Sequence, residues 1–415
     1  MEQLLLNDRS FCIVRLQDEQ PNVNELIYAI QLNRTVRSVF LYDTFLVALG
    51  MHERRRLLRA VGGLPKLESF VYLSDSKKVR IPVDALADLV KNAHRLAIIE
   101  LNAPNLVGKE VDFLNLCSGL QNLRDLKKFK LLPVFFEQGQ VNLDPLFDAL
   151  SRIETLEDIK VSLKCEKGSK LSSYMLKYLC RLEGLRVLDL RWSYFTDNHV
   201  ETIARELKDT TSLTDLTIGG QNLGPKSTMA IANMIELNDG ICRLCLASKG
   251  LSNDSCCNAL WKAIDSNPYM KEIVLENTDM FVPSHKSAKT MANVLADNDA
   301  IVTLRLFNMG LNGVSTTMLA QALQGNTALK ELDLGKGNER IGNQGYEALA
   351  KMLEQNYTLE RLHTNASGSI REHLEMCLKL NQSAHKFHGQ YIPSRHNSPN
   401  KRLFRNPLHQ FTICK

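Results

Sequence analysis

Residues 322–334 read ALQGNTALKELDL, and residues 29–41, AIQLNRTVRSVFL, follow the same plan. Each places an asparagine three residues ahead of a six-residue core of the form apolar-x-x-apolar-x-apolar. The core starts at Val36, Leu67, Leu96, Leu126, Leu156, Leu185, Leu213, Ile241, Met270, Ile301, Leu329 and Leu359, at intervals of 28 to 31 residues. Twelve recurrences at so regular a spacing mark tandem copies of one structural unit.

Each core predicts a short strand. In Leu329-Lys330-Glu331-Leu332-Asp333-Leu334 a period of two puts Leu332 and Leu334 on one face, Glu331 and Asp333 on the other. A helical stretch follows each core after about five to eight residues. The clearest is IGNQGYEALAKML at 341–353, where Tyr346, Leu349, Ala350 and Leu353 line one stripe. A single unit cannot bury both its strand face and its helix stripe, whereas stacked units can. The predicted architecture is therefore an α/β solenoid of twelve repeats with one parallel sheet backed by helices. Strands stack ~4.8 Å apart and helices about 10 Å, so the solenoid curves with the sheet on its concave face and helices on its convex face. Repeat two, LESFVYLSD, leaves its register open, and the loops around Pro104 and 134–145 break the pattern.

Asn33, Asn238, Asn267, Asn298, Asn326 and Asn356 each sit three residues before a core and just past a helix. They are expected to end those helices as left-handed caps. This structural role also accounts for the Asn-x-Ser/Thr sequons at Asn33 and Asn356; the others are Asn253, Asn365 and Asn381.

The period, the LxxLxL strands and the phrase Asn338…Ile341-Gly342-x-x-Gly345-x-x-x-Leu349-Ala350 resemble the ribonuclease-inhibitor-like leucine-rich repeats. The resemblance covers roughly residues 20–380 and is weakest in the first half. It implies a right-handed horseshoe and a scaffold that binds a macromolecule on its concave face, since the family shares a fold rather than a chemistry. Ribonuclease inhibitor, the activator of the Ran GTPase and the sensor halves of immune receptors are all of this kind. A GTPase-activating regulator or a sensing component of an immune or signalling pathway is thus the alternative to a plain protein-binding scaffold. The Ran activator has an acidic tail after its repeats, and here the tail is basic.

The domain plan read from the pattern is an N-terminal cap over 1–25, with Phe11–Leu16 closing the first repeat, a solenoid over 26–380, and a tail over 381–415. The helix near Ile370–Leu380 is expected to close the other end. Past Asn381 the periodicity stops, and YIPSRHNSPNKRLFRNPLHQFTICK reads as a mobile basic tail. The chain carries 51 basic and 46 acidic residues; seven of the basic ones and no acid follow Glu375, so the body is close to neutral. The body therefore has no case for non-specific nucleic-acid binding and the basic tail a weak one, and no specific nucleic-acid partner is expected. No stretch is apolar enough to span a membrane and no secretory leader is apparent, so a cytoplasmic or nuclear location, with reduced cysteines, is the expectation.

No nucleophile–base pair, phosphate-cradling loop or dinucleotide fingerprint appears, so catalysis and cofactors are not expected. Cys242-x-x-Cys245 with Cys256-Cys257 has the look of a zinc site, but the repeat register sends Cys245 to the sheet face and Cys256 and Cys257 to the following helix. Arg54, Arg55, Arg56 and Arg59 share one helix, most simply as a solvated face. On the sheet face, Asp215, Arg243, Glu272, Thr303, Glu331 and Arg361 form one row across successive strands, and Arg305, Asp333 and His363 form the next. Alternating signs there predict cross-strand ion pairs. Two places depart from the alternation. Lys130 and Lys160 are like-charged neighbours with Lys128 beside them, and Arg191, Trp192 and Tyr194 follow the sixth strand, with Arg305 and Phe307 further along. Trp, Tyr and Arg are common interface anchors. These eight residues are the candidate partner site, the lysines facing an acidic element of a protein partner, with the chain itself expected to be monomeric.

Overall fold

A computed structural model describes residues 13–16, 22–74, 79–102, 105–136, 141–164, 170–192, 195–220, 222–279 and 285–387. Strands β1 (Ile13–Leu16), β2 (Ser38–Tyr42), β3 (Ser69–Leu73), β4 (Arg80–Pro82) and β5 (Ile98–Asn102) come first. They are followed by β6 (Asn105–Val107), β7 (Lys128–Phe136), β8 (Asp158–Lys164), β9 (Val187–Trp192) and β10 (Asp215–Gly219). The last are β11 (Arg243–Ser248), β12 (Glu272–Asn277), β13 (Thr303–Phe307), β14 (Glu331–Asp333) and β15 (Arg361–His363). All pair parallel in one sheet whose main path is β1-β2-β3-β5-β7 and then β8 through β15 in chain order. Helices return the chain between neighbours.

Every one of the twelve anticipated cores yields a strand that begins two residues after the core start, as Ser38 follows Val36 and Glu331 follows Leu329. The register sets leucine beside leucine: Leu216 pairs with Leu244, Leu246 with Leu275, and Leu304 with Leu332, all fully buried. Repeat two takes the register that buries Phe70 and Tyr72 beside Ile99 and Leu101. Helix Gly342–Leu353 buries Tyr346, Leu349, Ala350 and Leu353 as its stripe requires. Its Gly345 is needed for a close approach, since a Cβ there would lie 2.6 Å from Ile341 Cγ2 and 3.0 Å from Thr316 of the preceding helix.

The sheet is longer than the twelve repeats. β1 adds a thirteenth strand to the path, Val14 and Leu16 lying beside Val39 and Leu41, so the N-terminal cap is itself a strand. The irregular region is also built differently. β7 shifts register between Leu131 and Val134, and its far end pairs with β6, which pairs with β4. Pro104 lies outside the described residues.

The asparagines do not act as left-handed caps. Asn33, Asn238 and Asn267 are extended, with φ/ψ of −72/141, −94/124 and −100/104 degrees. Among the described residues only Asn308 combines a side chain with positive φ. Asn326 shows what the position does instead: its Nδ2 donates to Leu295 O (2.8 Å) and Asn298 O (2.9 Å) of the preceding repeat, and its Oδ1 accepts from Ala328 and Leu329 N–H. Asn238, Asn267 and Asn356 repeat the donation, so in these four repeats a buried amide stitches the repeat to the one before.

The closing helix spans Gly368–Phe387, and Asn381 within it is buried, donating to Asn356 O and Leu359 O. A tail boundary at Asn381 thus cuts through the last helix. The remainder of the proposed tail, 388–415, lies outside the described residues.

One buried histidine makes the fold acid-sensitive. His199, in helix Asp197–Leu207, accepts the Thr196 N–H at Nδ1 (3.1 Å), leaving Nε2 to donate to Leu171 O (2.9 Å). Burial lowers its pKa below 6.5, against the upward pull of the Leu171 bond and Asp144. The unfolded chain then binds the proton more readily, so the contribution of this residue is complete above pH 6.5 and is lost as pH falls through the depressed value. Denaturant titrations between pH 7.5 and 5 are expected to show stability declining in the wild type and a flatter profile in His199→Gln.

Candidate interaction face

Side chains that leave the strands away from the helices form rows along the sheet. The first row contains the series Asp215, Arg243, Glu272, Thr303, Glu331 and Arg361, in the register anticipated from the repeat. Ion pairs follow it: Arg243 reaches Asp215 at 3.2 Å and Glu272 at 2.9 Å, and Glu331 takes Arg305 and Arg361 at 2.7 Å each. Arg305 therefore anchors the ladder, four strands from β9. Phe307, half-buried, sits beside Glu276, which also accepts from Lys336 and Asn308. That last group was not visible in the repeat rows, because Lys336 and Asn308 lie in loops.

The three lysines are brought together but are not unpaired. Lys130 and Lys160 are direct neighbours in register. Glu100 takes Lys128 at 2.7 Å and Lys130 at 3.7 Å, while Asp158 takes Lys160 at 3.6 Å and Lys128 at 4.0 Å. The hydrogen bond that Lys128 donates to Glu100 raises its pKa, so it stays charged. Burial raises the Asp158 pKa, and Lys160 and Lys128 oppose that. Glu100–Lys130 and Asp158–Lys128 are neighbours within a row, whereas Glu100–Lys128 and Asp158–Lys160 cross from one row to the next and do not show in a row-by-row reading. Diagonal and i,i+2 partners share a face without sharing a row.

Arg191 likewise has a partner, donating from Nε and Nη2 to Asp189 at 2.8 and 2.6 Å. Burial works to lower the pKa of its guanidinium, but the Asp189 hydrogen bonds prevail and hold it raised. Trp192 ends β9 opposite Leu163. Tyr194 lies outside the described residues.

A common layering runs through these clusters. The Asp189 side chain is 7% exposed and its partner Arg191 54%; Glu331 is 9% and Arg361 54%. Glu100 and Asp158 lie below their lysines, and Asp215 and Glu272 below Arg243, in the same order. Carboxylates form the floor, and long cationic side chains carry their heads above it. A molecule approaching the sheet meets ammonium and guanidinium groups first.

Cys256 and Cys257 are buried in helix Asp254–Ser266, and burial pushes Cys257 up to about 12, so it stays a thiol. Cys245 is half-buried on the sheet face. Among the described residues no three His, Cys, Asp or Glu side chains are placed to hold one metal ion. The arginine helix is tied to its neighbours, Arg55 and Arg59 to Asp84, Arg59 also to Asp88, and Arg56 to Asn24. Arg54 donates to Leu46 O and to Arg80 O on the outer strand β4. No described helix is long and apolar enough to cross a membrane.

No protein-family model matches this sequence, and no curated protein matches it. Among solved structures, a chain of the Rad7 and Elc1 complex in yeast aligns over 83% of this chain and 82% of its own, at 13% identity and a TM-score of 0.52. The leucine-rich repeat-containing protein LegL7 from Legionella pneumophila aligns over 82% and 98%, at 16% identity and a TM-score of 0.41. Actin-binding site 2 of leiomodin-1 aligns over 32% and 77%, at 22% identity and a TM-score of 0.30. The first of these likenesses is one of fold. With the repeat and the parallel sheet, it places the architecture among leucine-rich-repeat solenoids.

Proposed function

We propose that this leucine-rich-repeat solenoid is a protein-interaction scaffold of the ribonuclease-inhibitor-like kind, and that it takes an acidic element of its partner on the sheet face around Lys128, Lys130, Lys160 and Arg191. The observation that carries the reading is the layering, cationic heads above a floor of carboxylates. Each cation is held in place by a carboxylate yet keeps part of its side chain exposed. Arg305 and Phe307 extend the same face toward the C-terminal end, and Trp192, the last residue of β9, and Tyr194 complete the proposed set.

The test is affinity capture with the intact chain against a Lys130→Gln/Lys160→Gln variant, in low and in high salt. The partner is expected to be recovered about three- to tenfold less well by the variant in low salt, the difference shrinking as salt screens it. Equal recovery would remove the lysines from the site. Glutamine is preferable to glutamate here, because a reversed charge would sit against Glu100 and Asp158 and damage the sheet itself. A tail truncation for the same assay belongs after Phe387, beyond the bonded Asn381.

A further inference from the structure

The N-terminal third of the sheet face differs in kind from the rest. Its outward positions are Ile13 and Arg15 on β1, Ser38, Phe40 and Tyr42 on β2, and Ser69, Val71 and Leu73 on β3. Ile98, Glu100 and Asn102 follow on β5, with Lys128 next to Ile98 on β7. Only Glu100, at the β5 border beside Val71, is a carboxylate. Ile13 is 43% exposed, Phe40, Leu73 and Ile98 are half-buried and Val71 between them is buried, so a partly open apolar strip lies where further along the sheet there are ion pairs.

Cations bracket the strip on both sides. Exposed Arg15 stands over the Phe40 ring, its guanidinium carbon 5.4 Å from the centroid, and the lysines stand on the far side. The acid at that border, Glu100, is engaged by Lys128 and Lys130. From β1 to β7 is four strand spacings, about 19 Å, which an extended segment of roughly six residues crosses.

We propose that this strip and its flanking cations dock a short segment of a partner protein, apolar in its middle and acidic at both ends. The proposal rests on the sheet face being the binding face and adds what the partner must carry there. Apolar side chains cover Ile13, Phe40 and Ile98, displacing water from apolar surface that folding leaves partly exposed. Acidic side chains meet Arg15 at one end and Lys128, Lys130 and Lys160 at the other. Burial supplies most of the affinity, and the charges set direction and exclude basic segments.

The experiment uses the full chain and three labelled synthetic peptides of about eight residues, followed by fluorescence anisotropy. One has a Leu/Phe centre with Asp/Glu ends, the second the same ends with a Ser centre, the third the Leu/Phe centre with Lys ends. The first is expected to bind at least tenfold more tightly than either other. Phe40→Ser and Ile98→Ser are each expected to weaken it three- to tenfold, with the thermal midpoint as control. Should either variant fail to fold, Ile13→Ser, on an already exposed side chain, reads the same contact.

Equal binding of the first two peptides, with the Lys130→Gln/Lys160→Gln variant still weaker, overturns the apolar strip and leaves the lysine site standing. Equal binding of the first and third overturns the charge bracket and with it the proposal. Absence of binding by all three overturns it too. Binding that neither the strip variants nor the lysine variant alters removes both readings.

Discussion

Asn326→Ala is expected to destabilise the solenoid by about 3–4 kcal/mol, a large share of what a domain typically possesses. The amide makes four hydrogen bonds, two to carbonyls of the preceding repeat and two from the start of its own strand. Asn326 is buried, so water cannot take over these groups once the side chain is gone. An abandoned buried donor or acceptor costs ~1–3 kcal/mol, and some relaxation around the site keeps the total below the simple sum. Asn326→Asp should be nearly as damaging, because it removes both donations and buries a charge. Gln321→Ala, on the exposed side of the preceding helix, should stay within about 0.5 kcal/mol of wild type. Urea unfolding of the three variants decides the matter. A loss below about 1 kcal/mol for Asn326→Ala would mean that the amide ladder accompanies the stacking of repeats without holding it.

Glu331→Ala is expected to cost about 2 kcal/mol, the second largest effect. Its carboxylate accepts from Nε and Nη2 of Arg305 and from Arg361 on opposite neighbouring strands. Charged hydrogen bonds are worth roughly twice neutral ones. The two guanidinium groups are partly solvated, so they would rehydrate when the acid is removed, which keeps the cost below that of breaking a fully buried pair. The same pairing has a pH signature. Burial pushes the Glu331 pKa up, but the hydrogen bonds from Arg305 and Arg361 outweigh burial and hold it lowered from 4.5. A depressed carboxylate gives stability that is complete above the ordinary glutamate range and is lost as pH falls through the folded value. Acid unfolding of wild type should therefore show two successive declines, His199 below pH 6.5 and Glu331 below 4.5. Glu331→Ala should abolish only the lower one. An unchanged lower limb in that variant would shift the acid sensitivity to other carboxylates.

The parts of the fold readable from the chain were those in which the signal is local. Leu329, Leu332 and Leu334 alternate within six residues, and Tyr346, Leu349, Ala350 and Leu353 fall on one stripe within eight. Those intervals specify which faces are buried whatever the neighbours do. The repeat then aligns each strand with the next, which is why the row from Asp215 to Arg361 could be assigned before any contact was seen. The cationic face was legible in outline for the same reason.

Tertiary structure decided everything that depends on a partner about one repeat away. Asn326 looks like a left-handed helix cap when read with its own helix, yet its φ is not positive and its amide reaches carbonyls of the preceding repeat. Lys130 and Lys160 read as a like-charged pair along their row, yet Glu100 reaches Lys130 in the row and Lys128 diagonally, and Asp158 reaches Lys128 in its row and Lys160 across rows, because side-chain length spans the gap. Ile13–Leu16 became a strand through pairing with β2, and the partly open strip over Phe40 and Ile98 exists only because β1, β2, β3 and β5 lie side by side. Periodicity specifies which way a side chain faces; only the stacking of strands some 30 residues apart specifies what it meets.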